Sequence, residues 1–277
     1  MRGAILHAPG DVCFEELDDP KIINPTDAVI RTVATCVCGS DLWDYRGINP
    51  AGEPTPFGHE YVGVVEEVGS DVKNVQVGEF VIGSFFASDN TCPNCRNGYQ
   101  TNCLHREFVG AEGCQAEKIR IPLADGTLVA TPEQPAEEHI ASLLACSDVM
   151  GTGWYAAVAA EVRPGDTVAV VGDGAVGLCA IIAAKELGCG SAAPARASSS
   201  GSHSLWMVAS PPTEQAAARP PRTTSSIRLR RQTMHGFDAC VPPPRAPGMD
   251  VSVSCGVCTL GHVPLRAALT AGSGIGL

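Results

Sequence analysis

Positive charge is scarce in this chain. Nineteen Lys and Arg stand against 30 Asp and Glu, a formal net charge of -11 over 277 residues. That balance argues against nucleic acid or an anionic membrane surface as a partner, since both are bound through clustered basic side chains. A leader is also missing from view. The opening MRGAILHAPGDVCFEEL carries no apolar run behind its basic residue, so no export signal is visible and the segment reads as a strand entering the fold. Nor is there an unbroken apolar stretch of membrane length: the most apolar one, Thr167 to Leu187, is interrupted by Asp173 and three glycines. A strand followed by a helix fits it better than a span. Lysine is absent altogether from 189–277, where eight arginines and three acids remain, while the first 188 residues hold 27 acids and 11 bases.

Cysteine, by contrast, is plentiful. Thirteen of them, an odd number in a chain with no visible signal, point to a reducing, cytoplasmic setting with metal thiolates and buried thiols. The length allows one large or two ordinary domains.

From Met1 to about Ala130, short apolar runs alternate with turn residues: AVIRTVAT, YVGVVEEV, EFVIGSFF, EKIRIP. This predicts a compact, mostly β, barrel-like domain over 1–150. Glu137 to Ala160 has helical spacing, with Gly151 and Gly153 expected to form a hinge into a second domain. PGDTVAVVGDGAVGLCAIIAAKELG then reads as a turn, a fully apolar, buried strand, a glycine turn and an amphipathic helix, half of a βαβ unit over 151–188. Beyond Gly188 the chain gives SAAPARASSSGSHS, PPTEQAAARPPRTTSS and VPPPRAPG. Such Pro, Ser, Ala and Arg runs bury too little to offset chain entropy, so 189–277 is expected to be a poorly ordered tail. Its onset in mid-domain favours a reading frame lost near Gly188 over a natural low-complexity extension.

Chemistry concentrates in FGHEYVGVVEEVGSDV, Phe57 to Val72. Adjacent strand residues face opposite ways, so His59 and Glu60 converge on one ion only if the chain bends, and Gly58 makes a bend cheap. An imidazole with a carboxylate suits zinc if further ligands arrive from elsewhere, and Cys38 in TCVCGSD and Asp148 in ACSDVMGTG are the candidates. In Val168 to Gly177, a strand leads into GDGAVG at a helix start. There Gly172 permits the turn, Gly174 lets a pyrophosphate approach the backbone, and Gly177 allows close packing of helix on strand.

CGSD at Cys38, GHE at Gly58, DNTCPNCRNGYQTNC at Asp89, SDVMGTG at Ser147 and VVGDGAVG at Val170 occur in the order found in the zinc-dependent medium-chain alcohol dehydrogenase family. The first two thirds of the chain resembles that family. The resemblance implies a mixed α and β fold, with a chaperonin-like β-barrel catalytic domain followed by a partial Rossmann domain. It implies an enzyme moving a hydride between a small alcohol or carbonyl and NAD or NADP, and homo-oligomers formed through the cofactor domain. It carries the catalytic zinc ligands onto Cys38, His59 and Asp148, with Glu60 nearby or exchangeable, and leaves Cys146 as a buried thiol. Ser40 matches the hydroxyl that accepts the alcohol proton, and Asp41 the carboxylate that orients the zinc histidine. Where many relatives have a proton-relaying histidine, this chain has Trp43. Structural zinc falls to Asp89, Cys92, Cys95 and Cys103, with aspartate in place of a first cysteine. The nucleotide falls to Gly172, Gly174, Ala175, Val176 and Gly177. The acid or base that reads the ribose, roughly 20 residues further on, would fall in the altered tail.

An alternative is a non-catalytic zinc-binding remnant that cannot hold cofactor. His7, His105, His139, His203, His235 and His262 lack partners in spacing and receive no function. CGVC, Cys255 to Cys258, is read as a chance spacing.

Overall fold

A computed structural model describes residues 1–49, 53–195, 204–210 and 255–256. They form two compact units, and the chain passes from the first to the second between Ser147 and Asp148.

The first unit is mostly antiparallel β. Strands β1 (Arg2–Ala8), β2 (Asp11–Glu16), β3 (Ala28–Cys36), β4 (Thr55–Pro56), β5 (Glu60–Val68), β6 (Phe80–Gly83), β7 (Phe86–Ala87), β8 (Glu107–Phe108), β9 (Lys118–Ile121) and β10 (Leu128–Ala130) build it. The central sheet has the order β10-β6-β5-β3-β9, a smaller one runs β2-β1-β4, and β7 pairs with β8. Alternation along β3 and β5 sends Ile30, Tyr61 and Val65 into a core with Val81, Val109, Ile119 and Ile121. Tyr61 is wholly buried, and its hydroxyl donates to the Ser84 carbonyl at 3.1 Å, so the burial leaves that group satisfied. Short helices α1 (Asp41–Tyr45), α2 (Pro93–Arg96) and α3 (Ala124–Thr127) sit in the connections, and α4 (Glu137–Ala145) closes the unit.

The second unit begins with α5 (Val149–Ala159), then β11 (Thr167–Val171), α6 (Ala175–Glu186) and β12 (Ser191–Ala195), which pairs parallel to β11. Within the tail, β13 (Ser204–Ser210) pairs antiparallel on the other side of β11, and β14 (Cys255–Gly256) pairs with β13. The reading-frame expectation otherwise concerns residues outside the described set, as do His203, His235, His262 and Cys258.

Three expectations need correction. The helical break does not fall at Gly151 and Gly153: α5 runs through both, and the interruption is at 146–148. Gly153 is a packing residue. A Cβ there would lie 2.6 Å from the Ala180 nitrogen and 2.8 Å from the Cys179 Cβ on α6, so glycine lets α5 and α6 approach backbone to side chain. Cys146 is exposed, because α4 has ended and Cys146 caps it facing away from the core. Finally, β11 is buried on one face only: Val168 and Val170 are covered by α5 and α6, while Thr167 and Ala169 are exposed. A strand covered on both faces is the rule in a doubly wound sheet.

Among the described residues, no helix is long and apolar enough to cross a membrane.

Candidate metal centres

Register decides which side chains meet at the first centre. In the β3 and β5 pairing, Cys36 stands opposite Glu60. Two residues beyond Cys36 the chain reaches Cys38, and just before Glu60 it makes the turn at Gly58, whose φ of +86 favours glycine. His59 thereby leaves the strand line and turns back toward Cys38. Cys38 Sγ, a ring nitrogen of His59, and carboxylate oxygens of Glu60 and Asp148 all lie within 4.8 Å of one another. Glu60 is 2 % exposed and His59 8 %. Asp148 occupies the N-cap position of α5, where its Oδ1 accepts from the Thr152 hydroxyl at 3.2 Å.

The surroundings fix the imidazole. His59 Nδ1 lies 3.0 Å from Asp41 Oδ1, and Asp41 Oδ2 accepts from the Cys38 backbone N–H at 2.8 Å. One buried carboxylate therefore holds both the histidine ring and the loop that carries the cysteine. Ser40 Oγ lies 3.5 Å from His59 Nε2, and Ser40 is an exposed residue. Phe85 meets the ring edge to face at 5.9 Å, with Phe108 tilted at 6.2 Å, so apolar surface walls the histidine. Trp43 is half-buried on α1, while Trp154 is exposed on α5.

Cys36 also belongs to this neighbourhood, although no motif marks it. Its thiol donates to Glu60 Oε2. Burial, and then the Glu60 carboxylate, push that thiol far above its ordinary range, so it stays protonated. Only the register, which sequence periodicity leaves open, reveals the pair.

The second centre is the lobe from Asp89 to Cys103. Cys92, Cys95 and Cys103 form a buried cluster, and their thiols and an Asp89 oxygen lie within 4.8 Å of one another, as close as the donors of the first centre. Cys92 Sγ is 3.5 Å from Cys95 Sγ and 4.0 Å from Cys103 Sγ. A tetrahedral ion with Zn–S near 2.3 Å needs sulfur separations of about 3.8 Å, and the two distances bracket that value. Backbone N–H groups of Leu104 and Cys95 hold the Cys92 thiol down to about 7, while burial pushes Cys95 up to about 12. Asp89 Oδ1 accepts from the Thr91 and Cys92 N–H groups at 2.9 and 3.1 Å, and Oδ2 sits 2.6 Å from His105 Nδ1. His105 lowers the Asp89 carboxyl and is itself raised by it. The expectation that His105 has no partner is corrected: its partner lies 16 residues back, brought near by the lobe's own fold. His7 likewise meets Glu15, across the β1 and β2 hairpin, at 2.9 Å.

Gly172 has φ +124 and follows β11 directly, and Gly174 is the N-cap of α6. A Cβ on Gly177 would collide with the Gly172 carbonyl, so the helix start and the turn are in close contact through glycine alone. Ala175 and Val176 form the first turn of α6, whose N–H groups open toward the glycine loop. A cavity of about 260 Å³, lined by Glu107, Phe108, Glu112 and Arg120 among others, contains none of the residues of either metal group, though its Phe108 also packs on His59. Its Arg120 is already held by Asp27 at 2.9 Å and by Glu112.

Residues 24–133 match the alcohol dehydrogenase GroES-like domain family. Zinc-type alcohol dehydrogenase B of Aspergillus flavus is 40 % identical over 195 residues, which cover 67 % of this chain and 45 % of that protein. Glutathione-independent formaldehyde dehydrogenase of Pseudomonas aeruginosa is 34 % identical over 206 residues, covering 68 % and 52 %. Among solved structures, alcohol dehydrogenase TADH from Thermus sp. ATN1 superposes with a TM-score of 0.64 at 33 % identity, covering 70 % of this chain and 57 % of that one. The chain thus spans about half the length of these relatives.

Proposed function

We propose a function on the premise that this chain belongs, over about two thirds of its length, to the zinc-dependent medium-chain alcohol dehydrogenase family. It acts as a zinc-dependent oxidoreductase that moves a hydride between a small alcohol or carbonyl and NAD or NADP. The carrying observation is that ligand atoms of Cys38, His59, Glu60 and Asp148 lie within 4.8 Å of one another. A thiol, an imidazole and carboxylates are the donor set that zinc takes, with three protein ligands leaving a fourth position for substrate.

In this reading Cys38, His59 and Asp148 hold the ion, and Glu60 stands beside it. Zinc bound there supplies Lewis acidity that makes an alcohol hydroxyl easier to deprotonate. Asp41 keeps the His59 proton on Nδ1, which leaves Nε2 with its lone pair for the metal. Ser40 Oγ, near Nε2 and on an exposed residue, receives the alcohol proton. Trp43 stands where a histidine could have carried the proton onward, so its exit runs through cofactor hydroxyls, water or another group. Phe85 and Phe108 exclude water from the apolar side of the ring. Gly172, Gly174 and Gly177, with Ala175 and Val176, present the α6 N-terminus to a pyrophosphate. Asp89, Cys92, Cys95 and Cys103 hold a second, closed zinc site with a structural role, and the setting is cytoplasmic.

The test is metal content together with absorbance at the reduced-nicotinamide band. The reading expects two zinc per chain and alcohol-dependent reduction of NAD or NADP that Cys38→Ser abolishes. Zinc bound without any dinucleotide-linked reduction of a panel of primary, secondary and polyol substrates would overturn it in favour of the zinc-binding remnant.

A further inference from the structure

The thiol of Cys36 touches the one carboxylate of the metal group that the family assignment leaves without a fixed duty. Cys36 and Glu60 are opposed across the antiparallel β3 and β5 pair, so their side chains project from the same face and meet without any loop to adjust. The pairing is clamped on either side. The Thr35 hydroxyl donates to the Glu60 carbonyl at 2.7 Å, and Gln115 Nε2 donates to the Cys36 carbonyl at 3.2 Å. Glu60 is 2 % exposed, and the thiol donates to its Oε2 while a Glu60 oxygen lies within 4.8 Å of the Cys38, His59 and Asp148 ligand atoms. Cys36 itself is outside that group.

A carboxylate so placed has two uses for an oxygen lone pair: a metal ion or the S–H. A thiol is a weak donor, but an anionic acceptor strengthens the bond, and it draws the carboxylate toward the strand pair. Resting on the proposed zinc site, we propose that Cys36 is a positioning residue, whose thiol holds Glu60 back from the ion so that the fourth coordination position stays open to an incoming ligand. Without that donor, the buried Glu60 carboxylate turns to the metal and closes the position.

The experiment uses the full chain loaded with Co2+ in place of zinc, with imidazole as the probe of the open position. Only a site with a vacant place changes its visible d–d bands on imidazole addition; the closed lobe does not. Orienting contacts around metal ligands are worth about 10–100-fold in affinity, so imidazole binding to Cys36→Ala is expected to weaken about tenfold. Cys36→Ser, which keeps a donor at that place, recovers most of the wild-type affinity. In a Glu60→Gln background the Cys36→Ala change has no further effect, because the competing carboxylate charge is gone. Equal imidazole affinity in wild type and Cys36→Ala overturns the inference, as does a loss of thiolate-to-cobalt charge-transfer intensity in Cys36→Ala, which would make Cys36 a ligand. A cobalt spectrum untouched by Cys38→Ser instead sinks the metal site itself, a failure read on a different variant.

Discussion

Two glycines in α5, two residues apart, are expected to answer the same substitution with opposite signs. Gly151 has nothing within 4 Å of where a Cβ would stand. Alanine there replaces the more flexible residue inside a helix and stabilises by roughly 0.5–1 kcal/mol. At Gly153 the same helical gain meets the backbone of α6. The new methyl would stand 2.6 Å from the Ala180 nitrogen and 2.7 Å from the Cys179 carbonyl carbon, well inside the roughly 3.5–4.0 Å of an ordinary contact. Relief requires the two helices to separate by most of an ångström. Their seam is built from Ala156 and Ala157 against Ala180, Ala183 and Ala184, small side chains that cannot fill the gap. Overpacking of this kind costs about 2–3 kcal/mol, leaving Gly153→Ala destabilised by about 1–2 kcal/mol. The difference between the two variants, about 2–3 kcal/mol, is the quantity to measure by urea unfolding followed by far-UV circular dichroism. If both variants stabilise alike, α5 and α6 do not pack at Gly153, and the hinge reading of that glycine returns.

Cys103→Ser should remove one zinc per chain, leaving the Cys38-dependent zinc in place, as counted by atomic emission after dialysis. Asp41→Asn should lower zinc affinity at the first centre by about 10–100-fold, read by chelator competition, with the lobe zinc unchanged. In metal-stripped protein, NMR should find His105 titrating above its ordinary value and returning toward it in Asp89→Asn. His105 is raised and Asp89 lowered, so the pair's contribution is present above the ordinary carboxylate range. It is lost as pH rises through the raised His105 value, and again as pH falls through the lowered Asp89 value.

The strand content of the first unit is legible in the sequence because alternation in AVIRTVAT and YVGVVEEV has a period that only a pleated strand satisfies. Motif matches single out Cys38, His59 and Asp148, and the need for a bend singles out Gly58. What periodicity does not supply is pairing. That Cys36 faces Glu60, and that His105 reaches Asp89, depend on register and on the path of a lobe, neither of which leaves a mark in spacing. Gly153 misleads for a related reason: a glycine inside a helical pattern signals either a break or a close neighbour, and the neighbour, α6, lies over twenty residues downstream. Residue type places Cys146 in the interior, yet it stands just past the end of α4, where the chain turns outward.

The two halves of the proposed reaction draw on different parts of the chain, which separates their fates. Cys38, His59 and Glu60 are set by the β3 and β5 register, and Asp148, three residues past α4, is held at the start of α5 by Thr152; none of the four lies on β11 or α6. The glycine turn depends on β11 and α6. There the sheet departs from the parallel arrangement expected of a dinucleotide fold, since β13 runs antiparallel against β11 and Ala169 is left exposed. A strand added in that sense begins, rather than ends, beside the carboxyl end of β11, so it cannot supply the parallel βα loops on which an adenosine is ordinarily held. Metal should therefore bind whether or not dinucleotide does. Zinc analysis and reduced-nicotinamide fluorescence, run on one preparation, report on two separable events: full zinc with weak, Gly174-dependent fluorescence enhancement is the expected pattern. Enhancement that survives Gly174→Val would show the nucleotide bound somewhere other than the α6 N-terminus.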